Sequence, residues 1–141
     1  MRKHIEDLVA EFNEVITAYK PGNEFSKELV ELRVSQMKEE LSEIEDALNS
    51  GIEVEAVDGL IDLIYFALGT LHIMGVHREI FNACFTVVHM ANMMKEPGIK
   101  EERRLKDVPD HLHPLDAIKP LHWISPETIM RAILDGRRSD T

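Results

Sequence analysis

The chain has 141 residues, of which 44% are hydrophobic, enough for one domain with a buried core. Its formal net charge of −10 argues against a basic nucleic-acid-binding surface. The single cysteine, Cys84, excludes an internal disulfide. The N-terminus carries charges where a secretion signal needs an apolar segment, and the run 63–71 is too short to cross a bilayer. We therefore expect a soluble protein of a reducing compartment, the cytoplasm, that binds neither nucleic acid nor membrane.

Apolar residues recur at helical spacing in four segments, and no segment shows the alternation of a strand. A first helix is predicted over residues 1–20, where a Pro-Gly-Asn sequence ends it. A second helix begins after Ser26, which can cap it, and ends at Gly51. These signals predict an all-α fold.

A third helix is predicted over residues 53–75, and a fourth from residue 77 to about residue 95. The core stripe of the fourth helix consists of Ile80, Cys84, Val87, Val88, Ala91 and Met94. Prolines and charge runs follow, so residues 97–141 are predicted to form an irregular arm on a helical core of residues 1–96. Ser125 can cap a short helix that restarts in this arm. We treat residues 1–141 as a single domain.

The third predicted helix combines an apolar sequence with acidic residues. Glu55, Asp58 and Asp62 are spaced three and four apart, so they share one face. An ionised carboxylate buried there needs a compensating cation. The second predicted helix carries Glu40 and Glu43, also three apart, and antiparallel packing could bring the two pairs together. Such an all-oxygen site suits Mg²⁺ or Mn²⁺ rather than zinc; the alternative is that the acidic stripe faces water.

The third helix is also too apolar to be covered by three partners of this size. We therefore expect a four-helix bundle-like subunit, with the irregular Pro-rich C-terminal arm, that assembles into a homo-oligomer.

The order of the acidic residues resembles a known signature. Glu39-Glu40-x-x-Glu43 followed by Glu55-x-x-Asp58 is similar to the EExxE…ExxD pattern of the all-α nucleoside triphosphate pyrophosphohydrolases. That superfamily includes MazG proteins, dimeric dUTPases and phosphoribosyl-ATP pyrophosphohydrolases. EExxE alone is common on exposed helices, so the resemblance depends on further motifs in the same order.

Three further segments resemble the same superfamily, the last of them its MazG-like members, many of which come from phages and bacteria. Residues 58–65, DGLIDLIY, are similar to the DALADLLY form of the third helix. Residues 88–95, VHMANMMK, resemble the HRSNMSK end of the fourth. Residues 119–126, KPLHWISP, match a KPxxWxxP tail. Gly59 and Ile61 depart from the family pattern in ways that change packing more than chemistry.

The resemblance implies a homodimer or homotetramer that splits a nucleoside or deoxynucleoside triphosphate into the monophosphate and pyrophosphate. The implied cofactor is Mg²⁺, for which Mn²⁺ can substitute. The implied location is the cytoplasm, or the host cytoplasm for a viral protein. The predicted metal ligands are Glu40, Glu43, Glu55 and Asp58.

The other predicted site residues surround this ligand set. Glu39 and Glu40 are the catalytic candidates, with Glu39 positioning or deprotonating the attacking water unless it faces solvent. Asp62 is predicted to hold the ligands in position from behind or to contact the sugar.

Asn92, Lys95 and Arg33 are the residues predicted to contact the phosphates or the nucleotide; for Lys95 the alternative is that it favours the helix C-terminus. Further candidates are Lys38 and Lys119 as cations, Phe12 and Trp123 as stacking aromatics, and His89, for which we favour a structural role.

Two other functions remain open. A phosphoribosyl-ATP-type pyrophosphohydrolase would share the chemistry but act on another substrate. A non-catalytic helical oligomer that binds nucleotide or metal would need no set of four carboxylates. A di-iron bundle is disfavoured because none of the four acids belongs to a Glu-x-x-His pair.

Overall fold

Five helices and one two-stranded ribbon make up the computed structural model, which describes residues 3–17, 25–100 and 116–139, with the side chains of 137–139 left aside. The elements in chain order are α1 (Ile5–Val15), α2 (Lys27–Ser50), α3 (Glu53–Ile73), α4 (Arg78–Met93), β1 (Glu96–Pro97), β2 (Ala117–Ile118) and α5 (Glu127–Ser139). The all-α prediction is confirmed. The expectation of no strand is wrong for the short ribbon. The predicted ends of the first helix lie outside the described residues.

The chain divides into two compact units, Met1–Glu79 and Ile80–Thr141. The first unit contains α1, α2 and α3, and α3 is its centre because both other helices pack on it. Its apolar core is formed by Val9, Ile44, Ala47, Ala56, Leu68, Ile73 and Val76.

The ends of α2 are as the sequence predicts. The Ser26 hydroxyl accepts a hydrogen bond from the backbone N–H of Leu29 at 3.2 Å, which satisfies one donor at the helix start. Gly51 ends the helix in the left-handed region with φ of 70°, a conformation that costs glycine nothing. Two residues later α3 begins, so α2 and α3 run antiparallel.

Close contact between α2 and α3 depends on Gly59. A Cβ at this position would lie 2.8 Å from Cγ1 of Ile44, closer than van der Waals contact allows. Ile44 is itself buried, with 4% of its surface exposed. The missing side chain at Gly59 therefore sets how closely the two acid-bearing helices approach.

Buried polar contacts join α1 to α3. The Asn13 amide donates to the carbonyl oxygen of Gly69 at 3.2 Å and lies 3.1 Å from Nδ1 of His72. Asn13 is 2% and His72 5% exposed. A buried amide of this kind must be hydrogen-bonded to be tolerated. Since the amide N–H is the donor, Nδ1 of His72 is the acceptor and the imidazole is neutral with its proton on Nε2.

The second unit contains most of α4, the ribbon and α5. In the antiparallel ribbon Glu96 pairs with Ile118 and Pro97 with Ala117. The Trp123 indole N–H donates to the carbonyl oxygen of Ala91 at 2.6 Å, which fixes the chain after β2 against α4. The Ser125 hydroxyl accepts from the N–H of Glu127 at 3.3 Å, as predicted for the start of the last helix.

Most of the predicted core stripe of α4 is confirmed. Cys84 and Ala91 are buried, and Ile80, Val87 and Val88 are half-buried. The prediction for Met94 is wrong, because this residue lies beyond the end of the helix at Met93 and is 62% exposed.

By length and composition alone, α3 could cross a membrane, with a mean hydropathy of 1.5 over its most apolar window. Core helices of other proteins meet the same criterion. Here α3 packs on α1 and α2 and carries three acidic residues between its ends.

Replacing Gly59 by alanine is expected to destabilise the protein. Alanine gains up to about 1 kcal/mol of helix propensity, whereas overpacking a buried contact costs about 1–3 kcal/mol. The clash is with Cγ1 of Ile44, a carbon near the backbone of a buried side chain, so we expect the overpacking to outweigh the helix propensity and Tm to fall. Gly136→Ala in α5, where a Cβ has nothing within 4 Å, should raise Tm or leave it unchanged. Equal effects of the two substitutions would contradict this account of the contact.

Stability should decrease as the solution is acidified past the titration range of histidine. Burial lowers the pKa of His72, nearby His77 lowers it further, and Glu14 partly opposes both. Below a pH of about 6.5 the unfolded chain therefore takes up a proton more readily than the folded chain, so the free energy of unfolding falls as pH drops. We expect His72→Gln to flatten the fall in Tm between about pH 8 and pH 5.5. The control is His122→Gln, which removes a histidine at an exposed position. Identical slopes in both variants would exclude His72 as the source.

Candidate functional site

The predicted acidic residues of α2 and α3 line two separate pockets of the first unit. The first, here the acidic pocket, has a volume of about 340 Å³ and is lined by Glu43, Asp46, Glu55, Asp58 and Gly59. The second, here the Arg33 pocket, has a volume of about 300 Å³ and is lined by Phe12, Asn13, Arg33, Glu40, Asp62, Tyr65 and Phe66.

Three of the four predicted metal ligands therefore share one pocket. Glu43 comes from α2, and Glu55 and Asp58 come from the first turns of α3. They meet because α3 runs back along α2 and because Gly59, next to Asp58, lets the helices approach. Within the described ranges, no group of three or more Asp, Glu, His or Cys side chains is close enough to hold a metal ion as it stands. Carboxylates of one charge repel at ligand distances unless a cation lies between them.

Glu40, the fourth predicted ligand, lines the Arg33 pocket together with Asp62. Its Oε2 atom is buried and, in the part of the chain that the structure describes, has no hydrogen-bond partner. Burial raises the pKa of Glu40, and the negative charges of Glu43, Asp62, Glu39 and Asp58 raise it further, in that order. Both causes favour the protonated form of Glu40, and a nearby cation would favour the ionised form instead.

The chemistry of these donors suits a divalent cation, although their spacing as they stand does not form a closed ligand set. The acids are all hard oxygen donors, their mutual repulsion favours added positive charge, and Oε2 of Glu40 has no hydrogen-bond partner among the described residues. Glu39 is exposed, and its negative charge contributes to the raised pKa of Glu40. The structure thus gives Glu39 the solvent-facing position that the sequence left open, and its predicted catalytic role stays a prediction.

Arg33 is tied to α3 rather than exposed for a ligand. Its Nε donates to the Thr70 hydroxyl and one Nη donates to the carbonyl oxygen of Phe66, each at 3.0 Å. The guanidinium also stacks on the ring of Phe66 at 5.3 Å. Only 8% of Arg33 is exposed, and burial lowers its pKa. It therefore supplies a fixed positive charge beside Glu40 and Asp62, and phosphate contact stays a prediction.

Aromatic side chains form one wall of the Arg33 pocket. Phe12 is 39% exposed and its ring meets that of Tyr65 edge to face, with centroids 5.4 Å apart. An aromatic wall beside a carboxylate and an arginine can hold the flat ring of a ligand and hydrogen-bond its edge. Phe12 was a sequence candidate for stacking, and the structure places it at this pocket.

The predicted phosphate-binding residues Asn92 and Lys95 belong to the second unit. Asn92 is exposed near the end of α4, and Lys95 follows that end with its ammonium 5.4 Å from the centre of the Trp123 ring. His89 is exposed, which does not support the structural role that we favoured for it.

The sequence patterns did not identify Asn13 and His72 as buried polar residues of the fold. A sequence signal exists for Asn13, which lies four residues after Val9 and therefore on the same face of α1.

Comparison with known families gives a match. Residues 8–92 match the profile of the family described as phosphoribosyl-ATP pyrophosphohydrolase, which is more than half of the chain. The match includes every predicted metal ligand, but it ends before Lys95 and the ribbon. No curated protein and no solved structure matches the chain.

Proposed function

Because the chain belongs to the phosphoribosyl-ATP pyrophosphohydrolase family, whose activity is the hydrolysis of a nucleotide at a pyrophosphate linkage, we propose that it hydrolyses nucleoside or deoxynucleoside triphosphates. Water is added across the bond between the α- and β-phosphates, which yields the monophosphate and pyrophosphate. Mg²⁺ is the proposed cofactor. The observation that carries this proposal is the convergence of Glu43, Glu55 and Asp58 on one pocket. It is supported by Glu40, whose buried Oε2 atom has no hydrogen-bond partner among the described residues.

Charge decides how such a pocket can serve a triphosphate. The pocket and the substrate are both negative, in a chain whose net charge is −10, so the substrate cannot approach the carboxylates without a cation between them. Glu43, Glu55, Asp58 and Glu40 would hold the metal. When bound, Mg²⁺ neutralises phosphate charge and favours ionisation of water.

The remaining residues have roles that follow from their positions. Glu40, whose pKa is raised by burial and by its acidic neighbours, can accept a proton from the attacking water when it is not a ligand. Asp62 and Arg33 can orient the part of the nucleotide that enters their pocket. Asn92 and Lys95 are proposed to contact the phosphates.

Phosphoribosyl-ATP is the second candidate substrate, and the family match is the observation that favours it. A panel of ribonucleotides, deoxyribonucleotides and phosphoribosyl-ATP, assayed with Mg²⁺, Mn²⁺ or EDTA, separates the candidates. Monophosphate plus pyrophosphate, lost with EDTA, supports the reaction. Diphosphate plus orthophosphate contradicts it. Metal binding without turnover of any member of the panel favours the non-catalytic alternative.

We further propose that the protein works as a homo-oligomer. Val54, Val57, Ile61 and Ile64 are spaced like the contact positions of paired helices along the first three turns of α3, and each is 49% exposed or more. Val34, Leu41 and Leu48 form a second stripe along α2 at intervals of seven, from 41% to 61% exposed. Two parallel apolar stripes of this length are typical of surfaces covered by another chain.

Replacing either of two acids of the acidic pocket should abolish turnover without unfolding the helices. Replacing a residue that only supports a metal ligand lowers metal affinity or activity about 10–100-fold. Glu43 and Asp58 are proposed to be ligands themselves, so Glu43→Gln and Asp58→Asn should each reduce kcat by at least about 100-fold. Glu45→Gln, at an exposed position of the same helix, changes the net charge equally and should retain activity. The measurements are steady-state kinetics with Mg²⁺ and far-ultraviolet circular dichroism. Activity near that of the wild type in both pocket variants would overturn the ligand assignment.

Light scattering coupled to size-exclusion chromatography should give a mass of two or more chains of 16.1 kDa. Val54→Gln combined with Ile64→Gln removes two apolar contacts from the α3 stripe, so we expect the species to shift towards the monomer. Ile124→Gln removes an apolar side chain that is 72% exposed outside both stripes, and it should leave the mass unchanged. A monomeric wild type at the concentration of the assay would contradict the oligomer.

A further inference from the structure

Two lysines are brought together in the second unit by the ribbon. The register pairs Glu96 with Ile118, and one step further along it Lys95 stands across from Lys119. Both ammonium groups lie over the same ring, at 5.4 Å for Lys95 and 4.7 Å for Lys119 from the centre of Trp123. The indole and the ribbon therefore place two positive charges within 5.4 Å of one point.

The Trp123 ring beneath these two ammonium groups is held in place by hydrogen bonds. Its N–H donates to the carbonyl oxygen of Ala91 at 2.6 Å, and the backbone N–H of Trp123 donates to the carbonyl oxygen of Pro120 at 3.0 Å. The indole is thus fixed from α4 on one side and from its own turn on the other. An aromatic face attracts a cation by about 0.5–1 kcal/mol at an exposed site, which helps to hold each ammonium over the ring.

Packing alone accounts poorly for the pair. Like charges directly opposite one another in a two-stranded ribbon are destabilising. The end of α4 can attract Lys95, which follows the last turn, but it does not explain Lys119 on the other strand. Among residues 3–17, 25–100 and 116–136, whose side chains the structure describes, neither ammonium forms an ion pair with a carboxylate.

We propose that Lys95, Lys119 and Trp123 form a binding site for the polyphosphate chain of a nucleotide or for pyrophosphate. The choice of anion rests on the proposed function. Lysine binds phosphate as a point charge with three N–H donors. A diphosphate or triphosphate carries several charges along a short chain and can contact both ammonium groups at once. A single carboxylate, with one charge, neutralises only half of the pair.

The single tryptophan gives this site its own signal, because Trp123 accounts for all indole emission of the chain. The full-length protein is titrated with pyrophosphate, tripolyphosphate and orthophosphate at constant ionic strength, with EDTA present. We expect a saturable change in emission with the first two anions and at least tenfold weaker binding of orthophosphate. Calorimetry on the same samples gives Kd without relying on the indole.

Substitution of Lys119 tests the assignment. Lys119→Gln should weaken the Kd for pyrophosphate about tenfold, the effect of one exposed charge-assisted contact, and Lys119→Arg should retain most of the binding. Lys27→Gln removes a lysine whose side chain is 85% exposed and pairs with Glu31, so it changes the net charge equally and should bind like the wild type. The proposal is overturned if pyrophosphate does not saturate, if Lys119→Gln binds as the wild type does, or if orthophosphate binds equally well.

This result is separate from the outcome of the turnover assay. Binding is measured without divalent metal and needs no hydrolysis, so Lys119-dependent binding in a protein that turns over no nucleotide would leave the site standing and reject the reaction. In an active protein, a raised KM in Lys119→Gln identifies the substrate's polyphosphate as the ligand. An unchanged KM with weaker inhibition by pyrophosphate identifies the product.

Discussion

The close approach of α2 and α3 is the constraint on which the first unit depends. Gly59 admits Ile44 at a distance that no side chain would allow, and Gly69 admits the guanidinium of Arg33, since a Cβ there would lie 2.7 Å from an Nη atom. These two contacts lie ten residues apart on one helix. Because the Gly59 contact sets the spacing of α2 and α3 next to Asp58, it also decides how close Glu43 can come to Glu55 and Asp58.

That spacing sets up an electrostatic conflict. The helices bring five acids near one another, whereas Arg33, which lines one pocket with Glu40 and Asp62, donates its hydrogen bonds to the α3 backbone and to Thr70. The conflict is visible at Glu40, where burial and its acidic neighbours favour the protonated form. A structural site would relieve this repulsion with neutral or basic residues. Retaining it is consistent with a site whose cation comes from solution together with a phosphate ligand.

Sequence patterns predicted the features that depend on local chemistry. Ser26, Gly51 and Ser125 mark helix ends because capping needs only neighbouring backbone groups. The division of the acids between two pockets could not be predicted, because it depends on the rotation of α2 about its own axis when it packs on α3. Asn13 and His72 were missed for a related reason: their hydrogen bond joins residues 59 apart in sequence. The Lys95–Lys119 pair depends on a ribbon of two residues per strand, too short for a periodicity to reveal it.

Three faces of α3 connect the proposed homo-oligomer with the proposed metal site. At about 100° per residue, the face with Glu55, Asp58 and Asp62 lies between the face that packs on α2 through Ala56 and Gly59 and the exposed stripe of Val54, Val57, Ile61 and Ile64. A second copy seated on that stripe would border the acidic face and exclude water from it. Coulomb interactions strengthen as water is excluded, so the carboxylates would repel one another more strongly and bind a cation more tightly in the assembled protein. On this argument the apolar stripe and the acidic pocket are coupled, and metal affinity should depend on the oligomeric state.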